Sequence, residues 1–520
     1  MAEAALGTPA VARASANVAQ LEFDYLDRFG VYPRLHFEDR SFTNLQELNY
    51  ASSLARVLKD HGVVAGDRVV IVMPNLPELT AAFQAVWTIG AVVMPVMPQW
   101  TAKEIGYLLR NSEAKAVFTV PALAPRIAEA AEGISSLKHI LVFGATDIPA
   151  AENILPRLAR ADAPEPPVFR APNDMAMLLY TSGTMAKPKG VMITHENIAA
   201  ALEFADARNR NIKPAPMLHA LPLTHVFGVI MLNLANRWGF PSVLLRQFDP
   251  VKAFESIEKH QIGYLPMVPT MLVYMLHHPE RERFNTSSLF RITTGGAGLP
   301  EQLRVSFQKV FPSCRVENAY GLTESFAVTS GINPEMEYRP GSAGPALPGI
   351  DIRIVDNDGQ ALPPRTSGEI WISGRHISPG YWQDSEATRE TFGGGWLHSG
   401  DVGFLDEDGY LYITDRKKDL IIKGGENISP REIEEALYQH PSVAEAAVVG
   451  IPDPDLGENI CAVVQLKPGA IAGEDDIKEH VARFVTKFKV PAKVVFEPAL
   501  PKNSNGKIAK RQLRQQLASS

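Results

Sequence analysis

Apolar and polar positions alternate along this chain in two rhythms. Between residues 44 and 60, Leu45, Leu48, Ala51, Leu54, Ala55 and Leu58 recur near helical spacing, predicting an amphipathic helix. Residues 67–73 (DRVVIVM), apolar from Val69 on, are of strand length and predict a buried strand. The rhythm repeats as helix 76–89, strand 91–96, helix 103–111, and strands 116–120 and 140–143. Further on come strands 175–180 and 191–193, and a helix over 195–206 opened by Thr194. Strands follow at 216–223, 242–245 and 264–267, then a helix over 299–310 opened by Gly298-Leu299-Pro300. Strands alternating with helices predict a layered α/β fold with a largely parallel sheet.

From about residue 350 the period shortens to two. DIRIVD, GEIWISG and YLYITDR read as antiparallel strands divided by turns such as Asn357-Asp358-Gly359 and Asp408-Gly409. A charged run, 415–419, leads into a compact α+β unit. There Ser429, Pro430 and Glu432 mark a capped helix start, with the helix reaching about Gln439. Strands 446–451 and 461–466, helix 474–488 and strand 494–497 complete it. The expected organisation is α/β: a large N-terminal unit (1–415) containing a β subdomain (about 340–415), a short connection at 416–418, and a small α+β unit (419–520).

Composition narrows the class. At 520 residues the chain exceeds one ordinary core. A formal net charge of −7 gives no reason to expect nucleic acid as a partner. Cys314 and Cys461 make neither a metal-ligand spacing nor a disulfide framework, which suits a reducing cytoplasm. Residues 1–19 are Ala-rich without a basic start or continuous apolar centre and read as a frayed leader. No stretch reaches the roughly 18 apolar residues of a membrane helix; peripheral membrane contact stays open, as do monomer and homodimer.

The chemistry concentrates in a few stretches. Residues 180–190 (YTSGTMAKPKG) place hydroxyls, a flexible backbone and ammonium groups together between two strands. These are the donors a polyphosphate takes, and equally the composition of a solvated turn. No Ser or Thr follows a Gly-Lys pair, so the run is not a Walker A loop. In NAYGLTES (318–325), Glu324 could hold a divalent cation, Thr323 could donate to phosphate, and Tyr320 offers a flat ring to a base; a strand-end turn with a solvated Glu is the alternative. Asp401 of the SGD run could accept both hydroxyls of a ribose, with Arg416 completing the grip; otherwise it caps a turn. Lys507, in PKNSNGK, could neutralise charge on a carboxylate attacking phosphate. His225 stands beside Phe227 in PLTHVFG, where a packed side chain is commoner than a catalyst.

Together, and in this order, these runs and TDRKKDLIIKGGENISPREIE resemble the adenylate-forming superfamily, which contains acyl-CoA synthetases, peptide-synthetase adenylation domains and beetle luciferases. The likeness extends from near Leu45 to Arg511. The Gly-Gly-Glu-Asn run at 424–427 and PKNSNGK look most like the acyl-CoA ligase branch. The resemblance implies an acid–thiol ligase: a carboxylate attacks the α-phosphate of ATP, pyrophosphate leaves, and the thiol of coenzyme A then displaces AMP. By the same resemblance Thr181, Ser182, Gly183, Thr184 and Lys189 hold the β- and γ-phosphates. Tyr320 stacks on adenine beside Gly296, Ala297 and Asn318. Thr323 contacts the α-phosphate, Glu324 holds Mg2+, and Asp401 and Arg416 bind ribose. Lys507 bridges carboxylate and α-phosphate, and Lys418 is the hinge of a mobile C-terminal domain. The Lys423, Gly424 and Gly425 loop serves the coenzyme A half-reaction, and His225 borders the acyl pocket.

One departure stands out. Met185 and Ala186 occupy positions where the family usually has Thr and Gly, which removes a hydroxyl and a flexible residue from the phosphate loop. The apolar run 226–234 implies an apolar acid, with fatty, aromatic and alicyclic acids all open. Two alternatives accompany the ligase reading: an enzyme loading a carrier protein, although no carrier domain follows Ser520, and an acyl- or nucleotide-binding protein with a decayed site.

Overall fold

The computed structural model describes residues 16–158, 163–181, 188–502 and 508–518. Its N-terminal part is built on two seven-stranded sheets. One runs, edge to edge, Ala151–Asn153, His139–Val142, Ala116–Thr119, Arg68–Val72, Val92–Val96, Met175–Thr181 and Lys189–Thr194. All its neighbours are parallel except the last pair, a hairpin. The other orders Arg315–Asn318, Arg291–Thr294, Tyr264–Met267, Met217–His219, Ser242–Leu244, Pro33–Phe37 and Arg40–Thr43, again parallel but for its final hairpin.

Strand alternation explains the layering. Val69, Ile71 and Met73 face a core shared with Leu218, Leu265 and Ile292 of the second sheet. Val70 and Val72 point the other way, into a smaller core closed by helices Ala102–Ser112 and Ala124–Ala131. Both faces are covered, so the strand reads as an apolar run rather than an alternation. Helix Asn44–Asp60 has the extent its spacing predicts and opens on a Thr43/Gln46 capping box; helix His195–Arg208 opens on Thr194/Asn197 in the same way.

Beyond these lies a four-stranded antiparallel sheet, Asp351–Val355, Gly368–Ser373, Leu397–Leu405 and Leu411–Arg416. A five-stranded sheet follows in the C-terminal part, with cores of its own on both faces. Its helix Pro430–Tyr438 packs toward helix Glu301–Val310, and the Arg431 guanidinium sits over Gly298, where a Cβ would meet Arg431 Cζ at 3.1 Å.

Several expectations are corrected. Residues 16–19 are not frayed: Asn17, Val18 and Ala19 are buried. The Asn17 amide donates to the Trp87 and Val168 carbonyls, and Val18 N–H donates to His195 Nδ1. The strand expected over 216–223 shrinks to Met217–His219, because the Asn75 side chain bonds Leu221 O and Leu223 N in place of a neighbouring strand. The helix expected over 474–488 ends at Val481. Ser429 does not cap its helix. Its hydroxyl donates to Thr414 O and Asp415 Oδ2, and the Asp415 carboxylate accepts from Arg431 N–H instead. Asp401 lies inside strand Leu397–Leu405 rather than in a turn before a strand. The helices Gln20–Phe29, Pro250–His260, Pro269–His277 and Lys510–Ala518 went unpredicted, since each gains its partner only on folding.

Candidate active site

Parallel strands Arg291–Thr294 and Arg315–Asn318 end level, with Thr294 paired to Asn318. The chain leaves them as two adjacent loops at the carboxyl edge of the sheet, where open α/β sheets bind ligands. In the first loop Gly296 has φ +80°, a conformation side-chained residues avoid. Gly295 lies flat against the Phe227 ring, which a Cβ would meet at 3.3 Å. The second loop carries Tyr320. Its backbone pairs with Ser330 in both directions, and its hydroxyl donates to Asp401 Oδ2 at 2.6 Å.

Asp401 is 2% exposed, and Arg416 faces it across the hairpin with Nε 2.7 Å from Oδ1. The Asp401 charge raises the Arg416 pKa. Burial, then Asp401, keeps the Tyr320 phenol protonated far above its ordinary range. A carboxylate has about four acceptor sites, so one fixed by Tyr320 and Arg416 still accepts two neighbouring hydroxyls. Asn318 is buried, with Oδ1 at 3.5 Å from the Thr294 hydroxyl.

A second group of side chains lies on the same loops. Leu322 leads into the turn Thr323–Ser325, closed by Leu322 N–H donating to Ser325 Oγ. Phe326 and Ala327 follow with φ of 45° and 63°, folding the chain back over Gly321. A Cβ on Gly321 would lie 2.2 Å from the Ala327 carbonyl, so the close approach requires glycine. Glu324 is held at two points, its carbonyl accepting from Ser378 N–H and its Oε1 from the Tyr381 hydroxyl at 2.8 Å, and its charge acts on Arg416 and Lys418. Tyr381 in turn places its ring 4.9 Å below Lys189 Nζ. Lys189 opens the second strand of a hairpin whose last pair is Thr181 with Lys189.

The connection after Arg416 is a turn, with Lys417 N–H donating to Gly400 O and Asp419 N–H to Arg416 O. Lys418 lies in it. Burial and Arg416 lower its pKa, while Asp419, Asp401 and Glu324 oppose the shift, so its ammonium shares the field of the cluster. Lys423 does not join that cluster. Its Nζ donates to Phe488 O at 2.8 Å and sits 4.8 Å over the Phe488 ring, and burial lowers its pKa. Gly424 and Gly425 both have positive φ, with Gly424 against Leu456 and Phe488. His225 is the N-cap of helix Val226–Trp238, its Nδ1 accepting from Phe227 N–H at 3.3 Å. Ser182, Gly183, Thr184, Met185, Ala186 and Lys507 lie outside the described residues. Tyr381 went unnoticed in the sequence: a lone tyrosine 57 positions from Glu324 carries no local signal.

A separate small cavity of about 40 Å³ is lined in part by Arg34, Glu47, Thr80, Gln84 and Asn236. It has room for water rather than a substrate, and none of the site residues named above lines it.

A phenol at the carboxyl edge of a parallel sheet thus meets a carboxylate and a guanidinium from the antiparallel sheet, near a lysine-bearing hairpin, an arrangement able to hold a nucleotide. The comparisons agree. A family model described as AMP-binding enzyme matches residues 24–382, and one described as AMP-binding enzyme C-terminal domain matches residues 432–507. A long-chain-fatty-acid–CoA ligase of Bacillus subtilis (strain 168) is 34% identical, over 94% of this chain and 92% of that protein. The 4-coumarate–CoA ligase CCL1 of Humulus lupulus is 33% identical, over 88% of this chain and 85% of its own length. The crystal structure of the anthranilate CoA ligase AuaEII in complex with anthranoyl-AMP superposes with a TM-score of 0.88 at 25% identity, covering 97% of each chain. The chain belongs to the AMP-binding enzyme family, in its acyl-CoA ligase branch, and is an adenylate-forming acid–thiol ligase. Among the described residues no helix is long and apolar enough to cross a membrane.

Proposed function

We propose that this ligase activates an apolar carboxylic acid with ATP and passes the acyl group to coenzyme A, with the residues above in the following roles. The observation that carries the assignment is the convergence of Tyr320, Asp401 and Arg416, linked to Glu324 and Lys189, from three different sheets. Asp401 accepts the ribose hydroxyls, its carboxylate aimed by Tyr320 and Arg416. Tyr320, with Gly296, Ala297 and Asn318, borders the adenine. Thr181, Ser182, Gly183, Thr184 and Lys189 receive the β- and γ-phosphates, and Thr323 donates to the α-phosphate.

A substrate carboxylate oxygen attacks the α-phosphorus, the bond to the bridging oxygen breaks, and pyrophosphate leaves. Lys507 neutralises the charge gathering between carboxylate and phosphate. The coenzyme A thiol then attacks the acyl carbon, loses its proton, and AMP departs. Residues 416–418 form the hinge at Lys418, about which 419–520 turn between the two steps and bring the Lys423–Gly425 loop to the thiol.

Magnesium suits the donors present: one carboxylate, Glu324, next to the Thr323 hydroxyl leaves most positions of an octahedral ion to phosphate oxygens and water. Among the described residues no group of three or more His, Cys, Asp and Glu could hold a metal, which suits an ion brought in with the nucleotide. Bound there, it neutralises phosphate charge. The apolar character of the acid rests on Val226, Phe227, Val229 and Ile230, all buried along the helix that His225 caps. Relatives named for fatty and for aromatic acids keep both open. A cytoplasmic location is supported by two buried free cysteines.

The test is a panel of carboxylic acids read for pyrophosphate and for acyl-CoA, with a holo carrier protein competing for the acyl group. Apolar acids should release pyrophosphate and yield acyl-CoA. Absence of pyrophosphate release with every acid of the panel, or thioester on the carrier alone, would overturn the proposal.

A further inference from the structure

The segment that carries Tyr381 belongs to no motif discussed above, yet it is laced to both halves of the phosphate side of the site. Gly380 O accepts from Met192 N–H, and Trp382 N–H donates to Gly190 O, so this segment runs antiparallel beside the second strand of the phosphate hairpin. The Ser378 hydroxyl donates to Met192 O on the same strand, while Ser378 N–H donates to the Glu324 carbonyl. Tyr381 is 8% exposed, its ring edge-on to Phe392 at 5.4 Å. One side chain thus meets two groups of opposite charge: its hydroxyl donates to Glu324 Oε1 at 2.8 Å, and its ring face lies 4.9 Å from Lys189 Nζ.

We propose that Tyr381 is a positioning residue for the metal–triphosphate pair, orienting the Glu324 carboxylate and the Lys189 ammonium as one unit. This rests on Glu324 being the magnesium ligand. A glutamate on a short turn has three freely rotating bonds, and two carboxylate oxygens of equal basicity. A phenol bound to Oε1 selects one orientation and leaves Oε2 for the metal, the way a hydrogen-bonded neighbour orients a metal ligand elsewhere. Lys189 Nζ lies over the electron-rich ring face, a cation–π contact that fixes the ammonium. The phenol is the donor of this bond, since an ionised carboxylate oxygen can only accept. Removing the hydroxyl should therefore weaken what depends on the metal more than what depends on the nucleotide alone.

The experiment uses the full chain with Tyr381→Phe, which keeps the ring and its packing. ATP affinity is measured by isothermal titration calorimetry with magnesium and with chelator present, and bound manganese is read by paramagnetic resonance in the presence of ATP. Glu324→Gln serves as the comparison, and thermal melting reports on folding. A hydrogen bond to a charged group corresponds to roughly tenfold or more in affinity. Tyr381→Phe should weaken metal-dependent ATP binding by about tenfold, with metal-free ATP binding within about twofold of the parent. Equal losses with and without metal would overturn the proposal and make Tyr381 a packing residue. Parental metal affinity in Tyr381→Phe beside a damaged Glu324→Gln would overturn the tyrosine's role alone. Parental metal affinity in Glu324→Gln would overturn the assignment of Glu324 itself.

Discussion

Replacing Gly321 by alanine tests the site through geometry alone. Gly321 does not have positive φ, so alanine costs nothing in backbone conformation there. The obstacle is steric. The new Cβ would stand 2.2 Å from both the carbonyl carbon and oxygen of Ala327, and 2.8 Å from Val328 N. These are backbone atoms, and the chain near them is tied by Ala327 N–H to Leu322 O at 2.7 Å and Val328 N–H to Ser325 O at 3.2 Å. Relief requires a shift of roughly 1 Å, and the segment that shifts, 322–327, carries Thr323 and Glu324. Overpacking of this kind costs about 1–3 kcal/mol of stability. A displacement of about 1 Å in groups that position reacting atoms lowers the rate about a hundredfold. The assay is acid-dependent ATP–pyrophosphate exchange, with a thermal melt in parallel. Gly425→Ala is the control, since a Cβ there meets nothing within 4 Å and φ is +84°. It should cost about 1 kcal/mol in stability and leave exchange intact. Exchange by Gly321→Ala within threefold of the parent would refute the placement of Thr323 and Glu324 at the reacting phosphate.

Three further outcomes follow from the same reasoning. Restoring the family's residues with Met185→Thr/Ala186→Gly should lower the KM for ATP by roughly three- to tenfold, the worth of one added hydrogen bond, and unchanged ATP kinetics would remove Met185 and Ala186 from the argument. Lys507→Ala should lower adenylation by about a hundredfold or more while sparing thioester formation from preformed acyl-adenylate; equal damage to both half-reactions would contradict its assigned role. Acid should destabilise the fold through buried neutral histidines, because burial lowers the pKa of His219 and His376 to about 3 and of His195 to about 4. Each folded pKa lies below the unfolded value near 6.5. The stability they permit is therefore complete above that pH and is lost as pH falls toward the folded values. At pH 5 the loss is about 2 kcal/mol per histidine. His219→Gln should flatten the fall in melting temperature between pH 7 and 5, and an unchanged slope would refute it.

What the amino-acid order determined by itself was local. Helix Asn44–Asp60 was legible to its end residues, because its apolar spacing acts within one or two turns of chain. The buried strand Arg68–Val72 and the capped helix His195–Arg208 were legible for the same reason. The motifs around Tyr320, Asp401 and Arg416 carried the family likeness, since a ligand's chemistry restricts residue type at each contact. Tertiary structure decided what depends on distant partners. Residues 16–19 have a leader's composition and are packed only because Trp87, Val168 and His195 supply their hydrogen bonds. Ser429 has a cap's sequence context, yet Asp415, fourteen residues upstream, takes its hydroxyl. Asp401 and Tyr320 are 81 positions apart, and Glu324 and Tyr381 are 57 apart. Such pairs form between strands and loops brought together by two sheets and a third, and no period within either segment encodes them. The family was therefore readable in residue types, whereas the side-chain arrangement, with one phenol on Asp401 and another on Glu324, exists only in the folded chain.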